Sequence, residues 1–233
     1  MTWSLLARDP QTGELGVAVA TRFFAVGAVC PRVEGGVGAV ATQALVNPLY
    51  APDGLARLRA GEAPEQALQA LIAADAGRDH RQLHILAADG RMARHTGAAC
   101  LPWCGGVAAA DVSVAGNMLA GPCVVEATLE AFLAHAGQPM ALRLISALEA
   151  GEAAGGDRRG KQSAALQVAS RDPWPDLDIR TDDHPDPLAE LRRLHAVAQR
   201  RYVHLRRFLP GRDHPGVFDR AVIDAAIAAA TRA

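Results

Sequence analysis

The second residue, Thr2, can supply a nucleophile and, once Met1 is removed, a base as well. A threonine hydroxyl attacks a carbonyl carbon poorly unless a nearby base accepts its proton. Removal of Met1 would expose an α-amino group with an ordinary pKa of about 7.7 to 8, which can accept that proton near neutral pH. A β-branched residue at this position is equally typical of the start of an edge strand, so both interpretations are open on the residues alone.

A basic loop near residue 160 combines an acidic residue with three cations. Residues 155–161 have the sequence GGDRRGK, in which Asp157 precedes Arg158, Arg159 and Lys161. Guanidinium groups bind carboxylates through paired N–H bonds, so this loop can bind an acidic substrate. Taken in isolation, such a cluster is more typical of a solvated loop.

Two glycine-containing segments imitate nucleotide-binding loops without the context that such loops need. Residues 36–41 have the pattern G-x-G-x-x-A, but the apolar run continues as a strand where a helix should begin. Residues 155–162 nearly match a phosphate-binding loop, but Gln162 stands where Ser or Thr is needed, and the loop follows a helix. We therefore expect no nucleotide site and no cofactor.

The cysteines and histidines do not form a convincing metal site. Cys100 and Cys104 have a spacing that zinc sites can use, but zinc would need two further ligands. The candidates for these are Cys123 and His95. Two small buried thiols explain the cysteine pair better. His80 and His84 span a predicted helix-to-strand boundary, so we expect no metal there either.

The periodicity of the apolar residues predicts strands, two helices, strands, two helices and strands, in that order. Apolar runs at 3–8 and 15–20 around a Pro- and Gly-containing turn predict an opening β-hairpin. The other predicted strands are 29–33, 37–43, 82–87, 91–95, 112–115, 163–169 and 177–181. The predicted helices are 53–59, 63–74, 122–134 and 139–150. Two layers of strands with a helix pair outside each would satisfy burial economically.

The C-terminal part of the chain has a different character. Residues 187–208 are predicted to be helical and are rich in Arg and His, and residues 217–230 form a second, Ala-rich predicted helix. We therefore expect a main domain over residues 1–185 and a helical C-terminal extension over residues 186–233. Because the second helix is apolar over more of its surface than one docking face needs, we also expect a homodimer.

Composition narrows the class of protein and its partners. The 233 residues include 24 Lys and Arg against 25 Asp and Glu, which gives no electrostatic footprint for nucleic acid. The N-terminal sequence lacks the pattern of a signal peptide, and no apolar run is long enough to span a membrane. We expect a cytoplasmic protein with reduced cysteines and a small-molecule substrate, and no nucleic-acid or membrane partner.

Eight segments of the chain resemble the family called domain of unknown function 1028. They are SLLARDP at 4–10, GELGVAVA at 13–20, TRFFAVGA at 21–28, GVGAVATQ at 36–43, HTG at 95–97, GNML at 116–119, GGDRRGKQSA at 155–164 and DDHPDP at 182–187. The resemblance covers roughly residues 1–195. It implies an α+β fold, the four-layer αββα sandwich of N-terminal-nucleophile (Ntn) hydrolases. The biochemical activity of the family is not established.

The resemblance also implies roles for three residues. Thr2 takes the place of the terminal nucleophile, Asn117 in the Gly116-Asn117 segment takes the place of an oxyanion-binding loop, and Asp157 takes the place of an Asp that supports the terminal amine. Two positions depart from the proteasome-like relatives. Ala20 stands before Thr21-Arg22 where they carry Asp, and Arg32 is the nearest candidate for a Lys of the third strand.

Together these features predict an amidohydrolase that cleaves an amide bond in a small carboxylate-bearing substrate. We expect the catalytic residues to be Thr2, Asn117 and Asp157. We expect the substrate carboxylate to be bound by Arg22, Arg158, Arg159 and Lys161. A retained Met1 would mask the amine that serves as the base. The alternatives are a non-catalytic Ntn-like module that binds a ligand or partner and, less favoured, a cysteine-dependent enzyme.

Overall fold

A computed structural model of the chain describes residues 2–231, which contain ten β-strands in two antiparallel sheets and seven α-helices. The strands are β1 (Thr2–Arg8), β2 (Leu15–Thr21), β3 (Pro31–Glu34), β4 (Gly38–Ala44), β5 (Arg81–Ala87), β6 (Met92–Thr96), β7 (Gly105–Ala109), β8 (Val112–Asn117), β9 (Ser163–Ala169) and β10 (Leu177–Thr181). The helices are α1 (Tyr50–Arg59), α2 (Pro64–Ala73), α3 (Cys123–Ala134), α4 (Met140–Ala153), α5 (Pro187–Arg200), α6 (Tyr202–Leu205) and α7 (Arg220–Ala230). The chain divides into two compact units, residues 1–191 and 192–233.

The larger sheet has the strand order β10-β9-β2-β1-β8-β7, so β1 lies in its interior between β2 and β8. The predicted opening hairpin is confirmed, with a register that runs from Thr2 opposite Thr21 to Arg8 opposite Leu15. Its turn is closed by Asp9, whose Oδ1 accepts hydrogen bonds from the backbone N–H groups of residues 11 and 12 at 2.9 and 3.1 Å. This hairpin places residue 2 at one end of the sheet, beside the last residue of β2.

The smaller sheet has the order β3-β4-β5-β6 and contacts the larger sheet through β1, β2, β8 and β9. Helices α1 and α2 contact β4, β5 and β6, and helices α3 and α4 contact β2, β7, β8 and β9. Alternate residues of β4 belong to different apolar clusters: Ala39 and Ala41 pack with Leu6 and Val19, whereas Val40 packs with Leu55 of α1. The smaller sheet is therefore covered by apolar contacts on both faces, as the continuous apolar runs predict.

Consecutive residues of β1 also contact different partners. Trp3 lies beside Gly151 of α4, where any added Cβ would come within 2.8 Å of the Trp3 Nε1 atom. Ser4 instead donates a hydrogen bond to Gln43 of the smaller sheet at 2.7 Å. Side chains of a strand alternate between its faces, so one face of β1 contacts α4 and the other faces the smaller sheet. Thr2, two residues before Ser4, is on the face toward the smaller sheet.

Several predicted element bounds are wrong. Strand β7 was not expected, because its sequence GGVAA consists mostly of residues that are depleted in strands. The strand expected from residue 29 begins at Pro31, since residues 26–28 form a 3₁₀ turn. Helix α1 begins at Tyr50, three residues before its predicted start.

The C-terminal helices also differ from the prediction. The helix expected over 187–208 is interrupted at Arg201, whose φ of −146° is not helical, and it continues as α6 and a 3₁₀ turn. Helix α7 begins at Arg220 rather than at residue 217, because the Asp219 side chain caps it by accepting hydrogen bonds from two backbone N–H groups. None of the helices in residues 2–231 is both long enough and apolar enough to cross a membrane.

Within the unit of residues 192–233, α6 and α7 contact each other. Arg201 donates to Asp224 at 2.8 Å, and Arg220 donates to the same carboxylate at 3.0 Å. Ile223 and Ile227 of α7 are buried. Phe218 and Val222 are 85% and 52% exposed, so this short segment has a buried face and an exposed apolar face.

Candidate functional site

Thr2 occupies the first position of the central strand β1, and its neighbours are set by the register of the sheet. Thr21, the last residue of β2, lies directly opposite it on one side, and Asn117, the last residue of β8, lies opposite it on the other. The hydroxyl oxygens of Thr2 and Thr21 are 3.1 Å apart, which is hydrogen-bonding distance. Thr2 is 8% exposed, so its hydroxyl is mostly enclosed.

Asn117 is 1% exposed, and its amide links three strands. Its Nδ2 donates to the backbone carbonyl of Thr2 at 3.4 Å and to Gln82 Oε1 in β5 at 3.2 Å. Gln82 in turn donates to the carbonyl of Gly116 at 2.9 Å. The structure thus brings Thr2 and Asn117 together and ties both to the smaller sheet.

Asp157 fixes the segment that follows Thr21. Its Oδ2 accepts a hydrogen bond from the backbone N–H of Arg22 at 2.8 Å, and its Oδ1 accepts one from the backbone N–H of Arg159 at 2.8 Å. The Asp157 side chain is fully buried and forms an ion pair with the Arg159 guanidinium at 3.1 Å. Asp157 also forms an isolated antiparallel β-bridge with Leu119, two residues after the end of β8. The Asp157 carboxylate therefore holds Arg22, the residue that follows Thr21. Thr21 in turn contacts the Thr2 hydroxyl.

The four basic residues expected to bind a carboxylate have different surroundings. Arg22 donates to the carbonyl of Arg159 at 3.0 Å, and Arg158 donates to the carbonyls of residues 118 and 102 at 3.3 and 2.9 Å. Lys161 forms an ion pair with Asp186 at 3.3 Å. The Arg159 side chain is 45% exposed and lines the cavity that also contains Thr2. A joint clamp of all four remains a prediction.

A cavity of about 170 Å³, here called the Thr2 cavity, adjoins the candidate nucleophile. Its apolar walls are Phe23, Val26, Val29 and Val46. Arg159 is its one charged lining residue within residues 2–231. Thr42 also lines it, and the buried hydroxyl of Thr42 has no hydrogen-bond partner in the described part of the chain. The cavity can hold a short, mainly apolar group next to one cation.

A second cavity has a volume of about 400 Å³ and is here called the Asn117 cavity. Ala44 lines both cavities, and its φ of +70° is unusual for a residue other than glycine. The Asn117 cavity is lined by Ala44, Leu45, His80, Ala99, Cys100, Leu101, Asn117 and Met118. No Asp, Glu, Lys or Arg is among these described residues, so its lining is mostly apolar.

A buried polar network lies between the sheets behind Thr2. Ser4 gives its proton to Gln43, so His84 Nε2, 2.8 Å from the Ser4 hydroxyl, must donate to it. His84 Nδ1 then accepts from Ser113, 2.9 Å away. Burial lowers the pKa of His84 to about 3, and the charge of Arg94 adds to the effect. Ser4 and His84 are 0% exposed, so no substrate reaches this Ser–His pair and its role is structural.

Burial disfavours nucleophilic chemistry at three of the four thiols. Burial raises the pKa of Cys30 to about 12, and burial also raises the pKa values of Cys100 and Cys104. Raised values keep a thiol protonated and weakly reactive. Cys123 contacts the carbonyl of residue 154, and His95 contacts that of residue 78. Within residues 2–231 no group of three or more His, Cys, Asp or Glu side chains could hold a metal ion.

The two departures from the proteasome-like pattern have structural counterparts. Ala20 is buried opposite Trp3, on the face of β2 away from Thr2, and Thr21 takes the place beside the hydroxyl. Arg32 is exposed on β3 and donates to the carbonyl of Pro31. The Thr2 hydroxyl is at hydrogen-bonding distance from the Thr21 hydroxyl, and the Thr2 carbonyl accepts from the Asn117 amide.

Thr21, Gln43 and Gln82 belong to this site but were not expected from the sequence. Each is a polar residue inside or at the end of an apolar strand segment, and each is no more than 2% exposed. A buried polar residue in such a run needs a hydrogen-bond partner, which is the signal that could have found them. Their partners could not be named from the sequence, because they come from strands 14 to 72 positions away.

Comparison with known proteins places the chain among proteins of unknown function. The model of a family described as a family of unknown function (DUF1028) matches residues 2–191. The crystal structure of protein SPO2555 from Silicibacter pomeroyi, of the same family, is 34% identical with a TM-score of 0.86, and the match covers 94% of this chain and 99% of that one.

More distant comparisons add little. Anbu (ancestral beta-subunit) from Yersinia bercovieri is 12% identical with a TM-score of 0.37, over 90% of this chain and 98% of that one. A likeness at this level carries no argument for fold or activity. No curated protein matches the chain.

Proposed function

The chain belongs to the DUF1028 family, and we propose that it is an N-terminal-nucleophile amidohydrolase that cleaves an amide bond in a small carboxylate-bearing substrate. The observation that carries this proposal is the position of Thr2. Its hydroxyl lies at the end of a central strand, lines a cavity, and has Thr21 and Asn117 as strand neighbours. A residue with no catalytic task at the start of a strand needs neither a cavity nor buried polar neighbours.

The proposed reaction begins with removal of Met1, a residue that lies outside the described part of the chain. The freed amine of Thr2 accepts the hydroxyl proton as Oγ1 attacks the amide carbon. The ammonium then protonates the departing nitrogen, the C–N bond breaks, and an ester to Thr2 remains. Water attacks this ester with the amine again as the base, which releases the acid and restores the hydroxyl.

Asn117 and Asp157 assist this chemistry in different ways. The Asn117 amide is the side-chain donor beside Thr2 and would stabilise the oxyanion of the tetrahedral intermediate after a small reorientation from the Thr2 carbonyl. Asp157 acts as a positioning residue, since it holds the backbone of Arg22 next to Thr21. Its support of the terminal amine is part of the proposal.

The substrate class follows from the Thr2 cavity. Arg159 supplies a guanidinium at a cavity whose other walls are neutral and mainly apolar, which suits a small group that bears one carboxylate. Direct binding of the same carboxylate by Arg22, Arg158 and Lys161 is also part of the proposal. A volume of about 170 Å³ limits the bound group to the size of a small amino-acid side chain.

The finer description of the fold is also a proposal. Because alternate residues of β1 and β4 contact different layers, we propose the four-layer αββα arrangement, with α1 and α2 outside the smaller sheet and α3 and α4 outside the larger one. We also propose a main domain of residues 1–185 and a helical extension of residues 186–233. A cytoplasmic location and a homodimer complete the proposal.

A variant series at residue 2 tests the activity. Wild type would be screened against small amides that carry a carboxylate, with product formation as the readout. Thr2→Ala should abolish turnover with little change in stability, whereas Thr2→Ser should keep part of it, because only Ser retains the hydroxyl. Turnover by Thr2→Ala at the wild-type rate would refute the nucleophile.

The alternative function is a non-catalytic module that binds a ligand in the same cavity. It is favoured if the mass of the purified protein shows that Met1 is retained, because a peptide nitrogen cannot accept the hydroxyl proton. A cysteine-dependent enzyme is disfavoured, since burial raises the pKa of Cys30, the thiol that lines the Thr2 cavity.

A further inference from the structure

The Asn117 cavity has no part in the reaction as proposed so far, yet it adjoins the same residues. Thr2 and Asn117 are directly opposed strand partners, and partners of this kind have Cα atoms about 4.5 to 5.5 Å apart. Ala44 lines both the Thr2 cavity and the Asn117 cavity. A planar amide held at the Thr2 hydroxyl has two substituents, and each of the two cavities lies within reach of one.

Two apolar side chains that line the Asn117 cavity are exposed to solvent. Leu45 and Leu101 are 63% and 57% exposed. The backbones of both are nevertheless held in place: the Leu45 N–H donates to His80 O at 3.1 Å, and Leu101 O accepts from the Met118 N–H at 3.0 Å. Two exposed leucines at the rim of one mainly apolar cavity would gain from contact with an apolar ligand.

We propose that the Asn117 cavity is the subsite for an apolar acyl chain, so that the substrates are N-acyl amino acids with the carboxylate at Arg159 and the acyl chain between Leu45 and Leu101. The inference rests on the proposed function, because Thr2 defines where the amide lies. At about 30 Å³ for each water-sized group, the roughly 400 Å³ of the cavity holds an acyl chain of about a dozen non-hydrogen atoms. The absence of Asp, Glu, Lys and Arg from its described lining favours hydrocarbon over a second charged group.

The test is the dependence of affinity on acyl length. Calorimetry on the full-length Thr2→Ala protein would measure binding of N-acetylglycine, N-butanoylglycine and N-hexanoylglycine. Each added methylene should lower Kd by about fourfold, as expected for a buried CH₂ group. Ala99→Trp, which fills the cavity from an exposed turn, should remove this dependence. The matched control is Ala98→Trp, which is in the same turn but does not line the cavity and should retain it.

The outcomes separate this inference from the proposed function. A Kd that does not change with chain length, no binding across the series, or the same dependence in Ala99→Trp would overturn the acyl subsite. Hydrolysis of N-acetylglycine by wild type would be measured alongside. If binding improves with chain length but wild type hydrolyses none of the three compounds, the subsite stands and the amidohydrolase proposal fails.

Discussion

The Thr21 hydroxyl lies at the Thr2 hydroxyl, and the Asn117 amide donates to the Thr2 carbonyl. Thr21 and Asn117 are neutral, and Arg159, the charged residue of the Thr2 cavity in the described chain, has a guanidinium that stays protonated. In the proposed mechanism the amine of Thr2 is the base, so activity requires removal of Met1.

His84 predicts how stability responds to acid. Its pKa is about 3 in the folded protein and about 6.5 when unfolded, so the unfolded chain binds a proton first as the pH falls. The contribution is fully present above pH 6.5 and is lost progressively down to about pH 3, by up to about 1.4 kcal/mol per pH unit. His84→Gln should flatten the slope of unfolding free energy against pH in this range. An unchanged slope in urea titrations from pH 7 to 4 would contradict this account.

At the residue level, the sequence indicated Thr2 by its chemistry and Asn117 and Asp157 only through resemblance to a family. The neighbours Thr21, Gln43 and Gln82 were not predicted. They reach the site because of the register between neighbouring strands and because the two sheets pack face to face. A single sequence specifies neither the register nor the packing. The burial of His84 could not be predicted either, since a histidine on a strand can be exposed or buried.

The loop around Asp157 shows how an element without regular structure can position a strand. The Asp157 carboxylate accepts two backbone N–H groups and one guanidinium, and it thereby joins the end of β2 to the segment that enters β9. Gly155, with φ of +119°, adopts a backbone conformation that other residues rarely take, so the loop needs glycine there. The basic residues of this loop serve its own structure as well as any ligand.

Asp157→Asn is expected to lower the free energy of unfolding by about 1 to 3 kcal/mol, because the amide loses the ion pair and leaves a buried N–H without its acceptor. Asp186→Asn is the matched control. Asp186 pairs with Lys161 near the surface and accepts from the first turn of α5, where Asn caps equally well, so the cost should stay below about 1 kcal/mol. Equal losses in urea denaturation would show that Asp157 has no special role.

At the element level, the order and type of most strands and helices could be predicted, because their apolar periodicity is strong. The failures were local. The Gly- and Ala-rich β7 has no propensity signal and is a strand because it pairs with β8. The helix breaks at Arg201, between the good helix formers Gln199 and Arg200 and the weaker ones Tyr202, Val203 and His204, and the apolar periodicity alone does not locate this break.

At the scale of the whole molecule, the proposed homodimer depends on the last segment of the chain. Phe218 lies just before α7 and Val222 lies on it, and both side chains are exposed. The opposite face of α7 is buried. Deleting the residues after 210 should therefore lower the mass measured by light scattering from that of a dimer to that of a monomer. Phe218→Asp combined with Val222→Asp should do the same at full length. If neither change alters the mass measured by light scattering, this segment does not form the dimer interface.

The most direct test of the central claim is covalent labelling of residue 2. The native protein would be treated with an electrophilic acylating probe, and the modified residue would be located by mass spectrometry of its peptides. We predict a peptide that begins at Thr2, without Met1, and carries the probe. Thr2→Ser should also be labelled at residue 2, and Thr2→Ala should carry no label on the side chain of residue 2. Label on a cysteine instead of residue 2, equal labelling of Thr2→Ala, or a native N-terminus that retains Met1 would contradict the terminal-threonine mechanism.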